Sequence, residues 1–237
     1  MSSTLKLLST GNPKTIKGQK QGYMTYILHL SPSTVSGVIN TCPKATEGCK
    51  AVCLNTAGRG GMFLEGSTNT IQEARKRKTR FFASDRVGFM AQLEVDITKS
   101  ITQSKKKGLV PVFRLNGTSD LSWEKYIVRD GKNIFELFPT VQFYDYTKVL
   151  GRKVADLSNY HLTFSKAENN DNDVKIAMQQ GLNVAVVFNK TPTEWNGSVV
   201  FDADSTDLRF LDPVNSIIGL KAKGKARKDK SGFVVQV

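Results

Sequence analysis

Apolar residues first gather at GYMTYILHLSP (22–32), a run rich in aromatic and β-branched residues that stops at Ser-Pro and predicts a first strand. The chain before it reads as loop. Over 69–82 and 85–107 the period changes. Phe89, Leu93 and Ile97 recur every four residues among good helix formers, which predicts two helices. From residue 109 short apolar runs with polar ends return, at 109–120, 140–148, 159–168, 182–190, 197–207 and 215–226. Two stretches between them are helix-capable: 171–181, which ends on Gly, and 119–131, which starts on Ser/Asp and ends on Gly.

Strands alternating with helices imply parallel strands joined by crossovers. With no internal repeat or low-complexity linker, the pattern predicts one α/β domain over 1–237. The expected architecture is an incomplete (β/α) barrel of six to seven mostly parallel strands rather than an open doubly wound sheet. Each run carries its reactive residues on its C-terminal side, the edge at which parallel α/β folds build sites. Arg114, Asn116, Asp120, Lys148 and Lys166 are therefore the candidate cofactor- or substrate-binding residues, with Asp145, Ser165 and Asp202 on the same rim. Arg114 suits a carboxylate or phosphate. Polar loop ends solvate any fold, so part of this set is expected to be ordinary surface.

Composition changes this picture little: 39% hydrophobic and 23% charged residues are those of an ordinary folded domain. No apolar run approaches the roughly 18–20 residues that span a bilayer. The N-terminus lacks the apolar core of a secretory signal, so a cytoplasmic protein with reduced thiols is expected. The net charge of +13 points to an anionic partner. Its basic segments, 75–80 and 221–230, are candidate contacts for nucleic-acid phosphates, with solvated surface as the alternative. No helix-turn-helix, zinc-finger or RNA-binding signature accompanies them. Nor is there a nucleophile elbow, an HExxH or a GxGxxG, and DADSTD (202–207) lacks the ligand pattern of a calcium loop.

The three cysteines of the chain, Cys42, Cys49 and Cys53, stand together as C-x6-C-x3-C in the loop after the first strand. An odd count in a reducing compartment argues against a disulfide framework. Thiolates suit zinc or an iron–sulfur cluster. Structural zinc takes four ligands, in close pairs, and here His29 or His161 would have to complete a Cys3His set. A four-iron cluster accommodates three cysteines if its fourth iron takes a substrate, a water or a histidine. Glycines 48, 58, 60 and 61 let the backbone wrap closely and aim N–H groups at sulfur. Unligated thiols remain the third reading.

A strand, a three-cysteine loop and further βα units under a polar rim resemble the radical S-adenosylmethionine superfamily. That resemblance implies a [4Fe-4S] cluster whose fourth iron binds S-adenosylmethionine, although the cysteine spacing here is wider than that family's CxxxCxxC. A fuller resemblance, over nearly the whole chain, is to a family of poorly characterised tailed-phage proteins. NPKTIKGQKQGYMTYILHLSP, CPKATEGC with Cys53, TAGRGG, RLNGTSDLSWE, QFYDYTK, YHLTFSKAE, DLRFLDP and GLKAKGKA carry it. It implies a phage-encoded protein of the host cytoplasm that bears a cluster, and no particular reaction. The resulting expectation is a [4Fe-4S] cluster on Cys42, Cys49 and Cys53. Its fourth ligand would be His29 or a small molecule, and it would serve redox chemistry or electron transfer with a redox partner or small-molecule substrate. A radical-S-adenosylmethionine-like enzyme, or a nucleic-acid-binding accessory protein with a structural cluster or zinc, are the alternatives.

Overall fold

The computed structural model describes residues 5–11, 13–62 and 68–237. The chain begins with β1 (Leu8–Ser9), α1 (Pro13–Gln19) and β2 (Tyr23–Leu28), then passes through α2 (Glu47–Ala51), α3 (Thr70–Ser84) and α4 (Arg86–Lys106). Next come β3 (Val110–Arg114), β4 (Ile127–Arg129), β5 (Lys132–Asn133), α5 (Ile134–Leu137), β6 (Gln142–Thr147) and β7 (Tyr160–Ser165). The last part holds α6 (Asp171–Gln179), β8 (Asn183–Phe188), β9 (Glu194–Trp195), β10 (Ser198–Asp202) and β11 (Ile217–Lys221).

Nine strands form one sheet in the order β1-β2-β3-β6-β7-β8-β11-β10-β9. From β2 to β10 all neighbours pair in parallel, and β1 and β9 add short antiparallel edges. Each of the apolar runs read from the sequence is one of these parallel strands. The fold is thus mixed α/β with a large, mostly parallel sheet. Among the described strands no pairing closes the order into a ring.

From β2 to β11 the order follows the chain without reversal, except that β10 lies outside β11. Right-handed crossovers stepping in one direction put their helices on one face of a sheet. The packing agrees: Phe82, Phe89, Leu93 and Ile97 of α3 and α4 bury against Met24, Phe113 and Phe143. Val174 and Ala177 of α6 bury against Phe164, Val184 and Val186. Alternate strand residues point the other way. There Val112 and Tyr144 meet Leu208, and Ala185 and Ile218 meet Ala203, so the segment around 203–211 covers the face that the helices leave.

Two expectations need correction. The stretch 119–131 is not a helix. It makes one 3-10 turn at Trp123–Lys125 and then the β4–β5 hairpin. Asp130 and Gly131 both have positive φ, 53° and 70°, the pair a two-residue hairpin turn demands. The branched Ile127 and Val128 favour a strand there as well. The start of the chain is also more than loop: it carries β1 and α1, and Leu7 and Leu8 are buried in the main core.

Candidate functional site

The cysteine loop leaves β2 and is held by contacts distant in sequence. Thr46 caps α2, its hydroxyl oxygen accepting the Cys49 N–H at 3.2 Å and its O–H donating to Glu168 Oε2 at 2.7 Å. Glu168, just past β7, also accepts the Gly48 N–H at 2.7 Å. A Cβ on Gly48 would lie 2.7 Å from Glu168 Oε2, so only glycine permits this approach. Cys49 lies within α2 and Cys53 just past its C-cap, Val52, so the end of this short helix positions both. Cys42 is placed separately: the Ser33 N–H donates to its Sγ at 3.2 Å.

All three thiols are free and line one cavity of about 560 Å3 at the C-terminal ends of β3, β6, β7, β8 and β11. Arg114, Asn116, Asp120, Lys148 and Lys166 line the same cavity, so the rim read from the sequence is brought together with the cysteines. Burial pushes the Cys42 thiol up, against the Ser33 and Thr41 hydrogen bonds, and Asp120 and Cys53 add to the rise. Burial likewise raises Cys53, against the Asn55 N–H, with Cys49 raising it further and Arg75 and Lys148 lowering it. The thiols thus sense one another, Cys42 and Cys53 each accept a backbone N–H, and cations stand near Cys53. Burial favours the neutral thiol at both positions, and the Ser33 and Asn55 N–H groups oppose it. Among the described residues no three His, Cys, Asp or Glu are arranged to hold a single metal ion.

The candidate binding residues differ in what they have left to offer. Asn116 is 2% exposed and its side chain is fully engaged: Oδ1 accepts from Ser119 Oγ, the Leu121 N–H and Trp123 Nε1, while Nδ2 donates to the Leu121 carbonyl. Arg114 pairs with Asp207 at 3.3 Å and lies over the Tyr146 ring, with its centre 4.7 Å away. Burial opposes its charge most, but Asp207, Tyr146, Tyr144 and Asp145 together outweigh it and keep the guanidinium protonated. Lys166 is held by the Ala167 carbonyl and by Asp171, each at 3.0 Å. Asp120 accepts the Lys148 N–H at 2.8 Å, and burial raises its carboxyl. Lys148 reaches over Phe233 at 5.6 Å and has no ion-pair partner among the described residues.

His29 follows β2 and is not among the residues lining the cavity. Its Nδ1 lies 3.4 Å from Ser9 Oγ, and a Cβ on Gly117 would stand 2.8 Å from its Cδ2. Burial first, then Arg75, Arg114 and Lys78, push its pKa down to about 3, so the ring is neutral. His161 faces the covered side of the sheet, where burial and then Arg209 lower its pKa. Sequence reasoning passes over Glu168 and weighs Asp207 only within the DADSTD loop; both are loop carboxylates whose partners lie 63 or more residues away.

The basic segments divide between structure and surface. In 75–80, Arg75 Nη1 donates to Asn55 Oδ1 at 2.6 Å, and Lys78 donates to the Leu7 carbonyl at 2.6 Å. Burial lowers the Lys78 pKa to about 8. Only Arg77 and Arg80 of that run are exposed. In 221–230 all the lysines and Arg227 are exposed, and Lys221 and Lys223 also line the cavity.

Behind the rim, Asp145 is fully buried. It accepts the Asn116 N–H at 2.7 Å and the Tyr160 O–H at 3.0 Å, so it supports the loop, and it is not among the residues lining the cavity. Burial raises its pKa to about 7, against the Asn116 bond and the charges of Arg114 and Arg152. An unfolded aspartate titrates near ~3.9. The native state therefore binds the extra proton between about pH 4 and 7, and this group's contribution is lost as pH rises through 7. Thermal melts of wild type and Asp145→Asn should show it. Relative to the variant, wild type should lose roughly 5 °C between pH 5 and pH 8; a constant difference in Tm would refute the assignment.

No helix among the described residues is long and apolar enough to cross a membrane. Neither a curated protein nor a solved structure matches the chain, and the resemblance to radical S-adenosylmethionine proteins finds no support in these comparisons. The family model described as gene product 88 matches residues 6–237, in agreement with the phage resemblance, and the chain belongs to that family.

Proposed function

We propose that Cys42, Cys49 and Cys53 hold a [4Fe-4S] cluster at the wall of the cavity, and that the protein carries out redox chemistry on a small molecule bound there. One observation carries this reading: every cysteine of the chain and the cationic strand-end residues open onto the same cavity. A cluster takes each thiolate on a different iron, and all three thiols line this one cavity. Such a cluster supplies one-electron transfer when bound. The chain's own part is to exclude water, to donate N–H groups from Ser33 and Asn55 to the sulfurs, and to keep Lys148 beside Cys53. With His29 outside the cavity, the fourth iron would be left for an exogenous ligand. We also read the unreversed strand order, with its inner face covered around 203–211, as an incomplete (β/α) barrel.

The test is anaerobic reconstitution with iron and sulfide. About four irons per chain, with broad absorption near ~400 nm, are expected. The EPR spectrum of the reduced protein should be unchanged in His29→Ala. Colourless protein with one tightly held zinc would overturn the cluster. An altered spectrum in His29→Ala would return the fourth position to the histidine.

A further inference from the structure

The cavity is divided in character. Its floor is apolar, made by Tyr146, Ala185, Val187, Leu220 and Phe233. Its polar wall holds more cations than acids, and most of them are already matched. Arg114 is paired with Asp207, Lys166 with Asp171, and Lys223 with Asp204 at 2.5 Å. Two ammonium groups have no ion-pair partner among the described residues: Lys148 at the end of β6, on which Asp120 of the same wall acts at longer range, and Lys221, exposed at the end of β11. The Arg114 Nε is buried without a hydrogen-bond partner. An enclosure of a few hundred Å3 with an apolar floor and a few convergent polar groups is the usual form of a small-molecule site. Cations without an ion pair at the rim of such a cavity gain from an anion that brings its own negative charge.

We propose that this cavity binds a small molecule with an apolar body and an oxyanion group, the oxyanion held by Lys148 and Lys221 and the body lying between Leu220, Val187 and Phe233. The proposal deepens the reading above: it rests on the same cavity being the working site, but not on the metal. Phosphate and carboxylate share the chemistry the lysines recognise.

The probe is 8-anilinonaphthalene-1-sulfonate, an aromatic sulfonate that fluoresces in apolar surroundings, titrated into metal-free full-length protein. Saturable binding of one equivalent is expected. Lys148→Ala and Lys221→Ala should each weaken it about tenfold, with near-ultraviolet circular dichroism unchanged. Lys148→Arg should retain it, and Lys105→Ala, on the far end of α4, should leave it untouched. Displacement by phenyl phosphate marks the natural group as a phosphate, displacement by benzoate as a carboxylate. Failure of both to displace the dye, or dye binding indifferent to both lysines, overturns the proposal. Iron loading of the same variants is measured alongside. Loading that persists while dye binding is lost, or dye binding in a chain that never loads iron, tells failure of one reading from failure of the other.

Discussion

Replacing any one of Cys42, Cys49 and Cys53 by Ala is expected to strip the protein of iron while leaving the fold in place. Losing an outer-shell partner alone costs metal sites some 10–100-fold in affinity, so losing a thiolate should lower bound iron at least about tenfold. The fold should survive because the cysteines do not belong to its cores. They are half-buried, and the main clusters are built from the sheet and α3, α4 and α6 without them. The loop itself stays anchored by Glu168, which holds both Thr46 and the Gly48 N–H. Far-ultraviolet circular dichroism should match wild type, and Tm measured on metal-free samples should move by less than about 4 °C, roughly 1 kcal/mol for a chain of this size. Unfolding on loss of iron would show the metal to be structural instead.

What the sequence disclosed and what it hid follow from the range of the forces involved. The parallel strands were legible because strands buried on both faces read as short apolar runs, as VAVVF in β8 does. Their common edge follows from the βα alternation, which by itself places Arg114, Asp120 and Lys148 on one rim with the cysteines. Strand order was not legible: β10 precedes β11 in the chain yet lies outside it, a choice made by packing. Some local signals were present but misread. Asp130-Gly131 and Asn196-Gly197 both turn hairpins with positive φ at each residue, and in sequence the first looks the same as a helix ending on Gly. The partners of Glu168 and Asp207 had no local trace at all. Even the basic run at 75–80 misled, since Arg75 and Lys78 face inward to carbonyl and amide oxygens that only the fold supplies.

Asn116 shows the same lesson at a single residue, and its replacement is expected to be among the most damaging in the chain. The rim position suggested a binding residue, but the side chain is the hub of the loop after β3. Its Oδ1 takes three donors, at 2.9 Å from Ser119 Oγ, 2.9 Å from the Leu121 N–H and 3.0 Å from Trp123 Nε1. Its Nδ2 faces the Leu121 carbonyl at 2.9 Å and Asp145 Oδ2 at 3.4 Å. Asn116→Ala leaves these buried groups unpaired, at about 1–3 kcal/mol for each that water cannot reach. A total of about 4 kcal/mol would lower Tm by roughly 10 °C. Asn116→Asp keeps the acceptor but turns the donor side into a carboxylate facing a carbonyl and a second carboxylate. That variant should be as unstable as Asn116→Ala at pH 8. It should recover part of the loss near pH 5, where a proton shared with Asp145 restores a donor. Melts of the two variants at both pH values decide the matter. If Asn116→Ala melts within about 2 °C of wild type but loses affinity for the cavity probe, the residue serves the ligand and not the loop.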